Sequence, residues 1–209
     1  MAYTLRFQDE FTETSNTALS SHTPTTMGVS WSSKIGTGAG TPTVIASDDT
    51  ACHTYASGTG KLVGSQANIS GTWANDQQAE ATGWSGTTIT AGVGTRIQDD
   101  GSGEPDGYMG FHNAGTSLWT VSRIDSSSRT DLGTFSDASP SDSNVVILQS
   151  EGNTHKLYED GTERISVTDS TYPTGGKPGL FTQKTLSSGG LDDFKARDQG
   201  GDRRWIFGA

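Results

Sequence analysis

The chain has 209 residues and a net charge of −10, so its long-range field repels phosphate backbones and anionic bilayers; neither nucleic acid nor a membrane is an expected partner. Glycine supplies 28 residues and apolar types 30%, a composition of short strands and many turns rather than helices. A single cysteine, Cys52, excludes an internal disulfide and a cysteine-built zinc site.

No run approaches the ~18 apolar residues of a membrane-spanning helix. The opening MAYTLRFQDEF lacks the basic-then-apolar pattern of a secretion signal. A location in the cytoplasm, a non-standard export route or release by lysis is expected, with a virion or the extracellular space after lysis preferred.

In chain order, Tyr3, Leu5 and Phe7 alternate with polar residues and predict a first strand running into Asp9-Glu10-Phe11. Gly28 to Ile35 predicts a second strand with Trp31 inward. The glycine-rich stretch from Gly36 to Thr43 lacks the Gly-Lys-Ser/Thr and the helix of a phosphate loop. Thr43 to Ala46 and Lys61 to Val63 read as short strands around a loop holding Cys52, His53 and Tyr55. Gln77 to Trp84 alternates, with Ala79 and Ala81 on one face and Gln78, Glu80, Thr82 and Trp84 on the other. Thr90 to Gln98 places Val93, Thr95 and Ile97 inward and Gly94, Arg96 and Gln98 outward. Tyr108 to His112 places Met109 and Phe111 inward and Tyr108 and His112 outward. Ser117 to Asp125, Arg129 to Phe135 and Asn144 to Gln149 continue the series.

The clearest local signal is Asp160-Gly161 between two alternating runs, Lys156 to Glu159 and Thr162 to Thr168. A two-residue hairpin turn needs positive φ, which Asp-Gly accepts readily. Leu157, Ile165 and Val167 give these strands one apolar face. Gly190 to Arg197 predicts a last strand carrying Leu191 and Phe194. Its Asp192-Asp193-Phe194 repeats the form of Asp9-Glu10-Phe11, which predicts that first and last strands lie side by side.

The ordered set QQAEATGW, GVGTRIQ, GYMGF, LWTVSRID, TDLGTF, KLYEDGTERISVTDSTYPTGGKPGLF and LDDFKAR resembles the concanavalin A-like lectin and glucanase superfamily, in its laminin G-like part. The resemblance spans residues 3 to 197. It implies an all-β jelly-roll sandwich of two curved antiparallel sheets over residues 1–198, followed by a tail at 199–209. It also implies a concave face that binds polysaccharide, as in carbohydrate-binding modules and phage virion appendages. A structural calcium between the terminal strands, held by Asp193 with Asp9 opposite, is implied as well. The acidic loop from Asp99 to Asp106 is a second place for it.

Sugar binding needs flat apolar groups for the C–H side of a pyranose and planar polar groups for its hydroxyls. Trp84, Tyr108 and Trp119 answer the first need, and Glu80, Arg96, Gln98 and His112 the second. Trp119 reads equally as a core residue, and Arg96 with Glu80 as a cross-strand ion pair. The Glu-x-Asp-x-x-Glu strand of β-glucan hydrolases is absent. Arg96, Tyr108 and His112 are the residue types of a polysaccharide lyase, with Arg96 on a uronate carboxylate and Tyr108 or His112 moving the proton. The expected function is glycan binding without cleavage. The alternatives are a structural virion protein that docks through Trp205, Ile206 and Phe207, and a lyase or hydrolase of the same fold.

Overall fold

The computed structural model describes residues 2–199 except 14, 16, 27, 33–34, 37–40, 46–49, 55–62, 83–90, 100, 114–115, 138–140, 142 and 183–190, with the backbone alone at 41–45, 50–54, 63, 91 and 182. The first strands are β1 (Thr4–Asp9), β2 (Thr17–Ala18), β3 (Ser30–Trp31), β4 (Thr41–Ile45), β5 (Thr50–Thr54) and β6 (Val63–Asn68). The middle ones are β7 (Gln77–Thr82), β8 (Ala91–Asp99), β9 (Pro105–Asn113), β10 (Leu118–Asp125) and β11 (Ser128–Ser136). The last are β12 (Val146–Glu151), β13 (Thr154–Glu159), β14 (Thr162–Thr168), β15 (Lys177–Thr182) and β16 (Asp192–Asp198).

Two antiparallel sheets form a sandwich. A six-stranded sheet runs β1, β16, β7, β12, β13, β14, and a seven-stranded sheet runs β11, β10, β9, β8, β15, β6, β3. A small sheet of β2, β4 and β5 stands apart. β1 pairs antiparallel with β16, with Asp9 opposite Phe194, as the matching acidic-acidic-aromatic ends predict. Asp160 and Gly161 both take positive φ (47° and 76°) in the turn between β13 and β14, the geometry their sequence favours.

The main core lies between the sheets. Ala79, Ala196, Leu148, Leu157 and Ile165 from the six-stranded sheet meet Val93, Tyr108, Trp119, Val121 and Leu180 from the seven-stranded one. At one end Trp31 packs against Phe7, Phe11 and Phe194. A second apolar cluster joins Ile97, Met109, Phe111, Ile124 and Phe181. It occupies the other face of the seven-stranded sheet, because Gly110 looks across the sandwich toward Leu148 and Leu157, and its neighbours on β9 must point away.

The expected facing of β9 is therefore reversed: Met109 and Phe111 point away from the main core, while Tyr108 and His112 point into the sandwich. Both faces of this strand bury apolar surface, so residue hydrophobicity does not mark the inner one. In β8, Val93 and Thr95 face inward as expected, but Ile97 does not. A bulge between Thr95 and Gln98, with Arg96 at φ 54°, turns Thr95 and Arg96 to the same side and sends Ile97 to the other. The stretch expected as a loop around Cys52 and His53 includes a strand, β5, paired with β4.

Candidate functional site

The bulge that turns Arg96 inward places its guanidinium among three loops at one end of the sandwich. Its Nε donates to the Asn75 carbonyl (3.0 Å), Nη1 to that of Tyr172 (2.8 Å) and Nη2 to that of Gly152 (2.7 Å). Its backbone N–H donates to Gln77 Oε1 at 2.8 Å. Arg96 is fully buried, and burial lowers its pKa. Three of its guanidinium N–H groups tie these loops together, so the expected contact with a sugar or a uronate carboxylate gives way to a structural role. Gln98, just beyond the bulge, stays partly accessible beside Gly175.

Tyr108 is equally buried. Its ring stacks on His155 with centroids 3.6 Å apart, its hydroxyl donates to Asp169 Oδ1 (2.7 Å), and it accepts the Tyr172 N–H (3.1 Å). Burial pushes the phenol up to about 12. Burial also pulls His155 down to about 4, so its imidazole is neutral. Its Nε2–H donates to the Asp169 carbonyl (3.1 Å), and Nδ1 accepts the Ser150 hydroxyl (2.8 Å), which is bonded to Thr95 Oγ1 (2.6 Å). Burial alone would raise Asp169; the Thr171 N–H, Tyr108 and Arg123 outweigh it and hold the carboxylate at about 2.

At the opposite end His112 and Trp119 are cross-strand neighbours with rings 5.0 Å apart, edge to face. Trp119 is fully buried, and its Nε1–H donates to Glu159 Oε1 at 3.0 Å. His112 is 8% exposed and faces the Asp137 carbonyl through Nε2. Neither ring offers a face to a polymer. Glu80 lies in the other sheet, so it shares no site with Arg96 or Tyr108. Trp84, Trp205, Ile206 and Phe207 lie outside the described residues.

Asp9 does not fit a calcium ligand. One carboxylate oxygen accepts the Trp31 indole N–H (2.6 Å), and the other accepts the His22 Nε2–H (2.8 Å) and the Phe11 N–H (3.0 Å). N–H groups occupy the directions a cation would need. His22 donates its other ring N–H to Glu13 at 2.6 Å. Burial alone would lower the His22 pKa, but the two carboxylates outweigh it and raise it, keeping an imidazolium between them. Asp193 sits in a bulge of β16 at φ 49°, and its N–H bonds to Asp192. Among the described residues no three His, Cys, Asp or Glu side chains group to hold a metal ion.

Among the described residues, the outer face of the six-stranded sheet carries a partly accessible polar array. Because Ala79, Ala196, Leu148 and Leu157 point into the core, their strand neighbours stand outward in two rows across β16, β7, β12 and β13. One row reads Lys195, Glu80, Ile147, Tyr158; the other reads Arg197, Gln78, Gln149, Lys156. Glu80 accepts from Lys195 Nζ (3.1 Å) on one oxygen and from Arg197 Nη1 (2.6 Å) on the other. Gln78 Nε2 donates to Gln149 Oε1 at 3.3 Å. Lys156 Nζ and the Tyr158 hydroxyl both reach Glu163 Oε2 on β14, at 2.8 and 3.4 Å.

Sequence reasoning named Glu80 alone from this array. The signal for the rest was present: Gln78 shares its face in the same strand, and Lys195 and Arg197 alternate with Phe194 and Ala196 in the strand predicted to close the fold.

No family model and no curated protein matches the sequence. Solved structures do. Carbohydrate-binding module CBM66 from Bacillus subtilis superposes with a TM-score of 0.51 at 15% identity, covering 80% of this chain and 91% of the module. The exoplasmic/lumenal domain of VIP36, in a Ca²⁺/Man3GlcNAc-bound form, gives 0.53 at 11% over 95% and 90%. The β-glucanase of Bacillus licheniformis gives 0.50 at 11% over 93% and 98%. The fold is that of the concanavalin A-like lectins and glucanases. Binding modules, lectins and glycoside hydrolases share it, and at these identities the likeness concerns fold alone.

Proposed function

We propose that this chain is a non-catalytic carbohydrate-binding domain that takes polysaccharide on the outer face of its six-stranded sheet. The observation that carries the proposal is the two-row array of carboxylate, amide and guanidinium groups beside Tyr158 and Ile147. Planar donors and acceptors match sugar hydroxyls, and the two apolar side chains suit the C–H face of a pyranose. That CBM66 is a carbohydrate-binding module and VIP36 was solved with Man3GlcNAc supports the ligand class.

Two features support binding without cleavage. Arg96, which a lyase would set on the uronate carboxylate, and Tyr108, one of its two proton movers, are spent on internal hydrogen bonds, and the other, His112, lies at the opposite end of the sandwich. On the far face of β8 to β10 the positions in register are Gly92, Gly94, Met109, Phe111, Thr120 and Ser122, so these positions offer no pair of carboxylates for general acid and nucleophile. The test is affinity gel electrophoresis on a panel of neutral glucans and uronates, with reducing-end and unsaturated-product assays on the same samples. Retardation without products is expected. Product formation overturns the non-catalytic reading, and silence in both assays favours a scaffold protein.

A further inference from the structure

Resting on that reading, we infer that the ligand is a neutral, extended, β-1,4-linked polysaccharide lying across the strands, one sugar per strand from β16 to β13.

Direction follows from register. Neighbouring strands are about 4.8 Å apart, so side chains in one row recur at that interval from β16 through β7 and β12 to β13. An extended pyranose chain advances by a similar distance per residue. The two rows are two residues apart along each strand, roughly 6.8 Å, which is close to the width of a flat sugar ribbon. A β-1,4 linkage gives such a ribbon, with hydroxyls along both edges; a coiled α-linked chain matches neither spacing.

Charge follows from composition. The three cations on this face, Lys195, Arg197 and Lys156, are balanced by three carboxylates: Glu80 takes the first two, Glu163 takes the third, and Glu151 stands beside Gln149 near Lys156. A uronate would compete with Glu80 for its partners within a chain of net charge −10, whereas a neutral polymer adds hydrogen bonds without breaking an ion pair.

The experiment is a titration of the full chain with cello-oligosaccharides from the dimer to the hexamer. Malto-oligosaccharides provide the linkage control and β-1,4-linked oligomannuronates the charge control. Affinity is expected to rise about fivefold per sugar, the effect of roughly one net hydrogen bond, up to the tetramer, and then to level off. In Gln149→Ala, which interrupts the array on its third strand, that rise beyond the dimer is expected to disappear without a change in melting temperature. Length-independent affinity, equal or tighter binding of the malto- or mannuronate series, or an unaltered profile in Gln149→Ala overturns the inference. If cello-oligosaccharides fail while another polysaccharide of the panel binds, the inference falls and the binding function stands. Silence across the whole panel removes both.

Discussion

Arg96 offers a direct test of whether structure or ligand claims a residue. Replacing it with alanine strips donors from the carbonyls of Asn75, Gly152 and Tyr172, which come from three separate loops, and opens a void in a fully buried position. Hydrogen bonds to a charged group contribute about 1.5–3 kcal/mol each, but the desolvated guanidinium returns part of that when it is removed, so a net loss of about 3–5 kcal/mol is expected. For a domain of this size each kcal/mol moves the melting temperature by roughly 2–4 °C, which gives a fall of about 6–20 °C. Arg96→Lys should recover little, because an ammonium group does not span three carbonyls in fixed directions. The assay is a thermal melt followed by circular dichroism, with glycan affinity measured well below the transition. An unchanged melting temperature with lost affinity would refute the structural assignment and return Arg96 to the binding site.

Acid should destabilise the fold through His155. Its folded value of about 4 lies below the usual 6.5, so stability present above pH 6.5 is lost as pH falls through 4, about 3 kcal/mol in all. Chemical denaturation across that window should show the slope in the native chain and a shallower one in His155→Gln; identical slopes would contradict it. His22 acts with the opposite sign. Its raised folded value makes its contribution full below about 6.5 and lost as pH climbs through the folded value, so His22→Gln should be less sensitive than the native chain to pH rising above about 6.5. Gly176 holds φ 66°, and a Cβ there would lie 2.3 Å from the Arg96 carbonyl carbon. Gly176→Ala should therefore destabilise by well over about 1 kcal/mol, seen as a lower denaturant midpoint.

Much of the fold was legible. The Asp160-Gly161 hairpin is a local signal, and the alternation of Leu157, Ile165 and Ala79 reports a sheet with one buried face. The matching ends located β1 beside β16, and the aromatic of each end, Phe11 and Phe194, packs against Trp31. What failed was the facing of the seven-stranded sheet. There Met109 and Phe111 join a second cluster, while the inward positions of β9 are Tyr108, Gly110 and His112, whose polar atoms find partners from other strands and loops. Alternation gives the period and leaves its phase open when both faces are apolar. The bulge at Arg96 shifts that phase again within one strand, and no residue in GVGTRIQ announces it.

The site suffered from the same ambiguity. Tyr108, Trp119, Arg96 and His112 have the chemistry of sugar recognition, but that chemistry also serves to satisfy a polar interior. Glu80 was the exception, because its strand has an unambiguous inner face of alanines.

The central claim is that glycan binds on the outer face of the six-stranded sheet. It is tested most directly by running the native chain and Arg197→Ala side by side in the polysaccharide gels. Arg197 is an outward residue whose guanidinium bonds Glu80 and Gln78, so the variant should fold normally. Retardation of the native chain, at least fivefold weaker in the variant at equal melting temperature, is the predicted result. Equal retardation of the two proteins would place the ligand elsewhere and contradict the account.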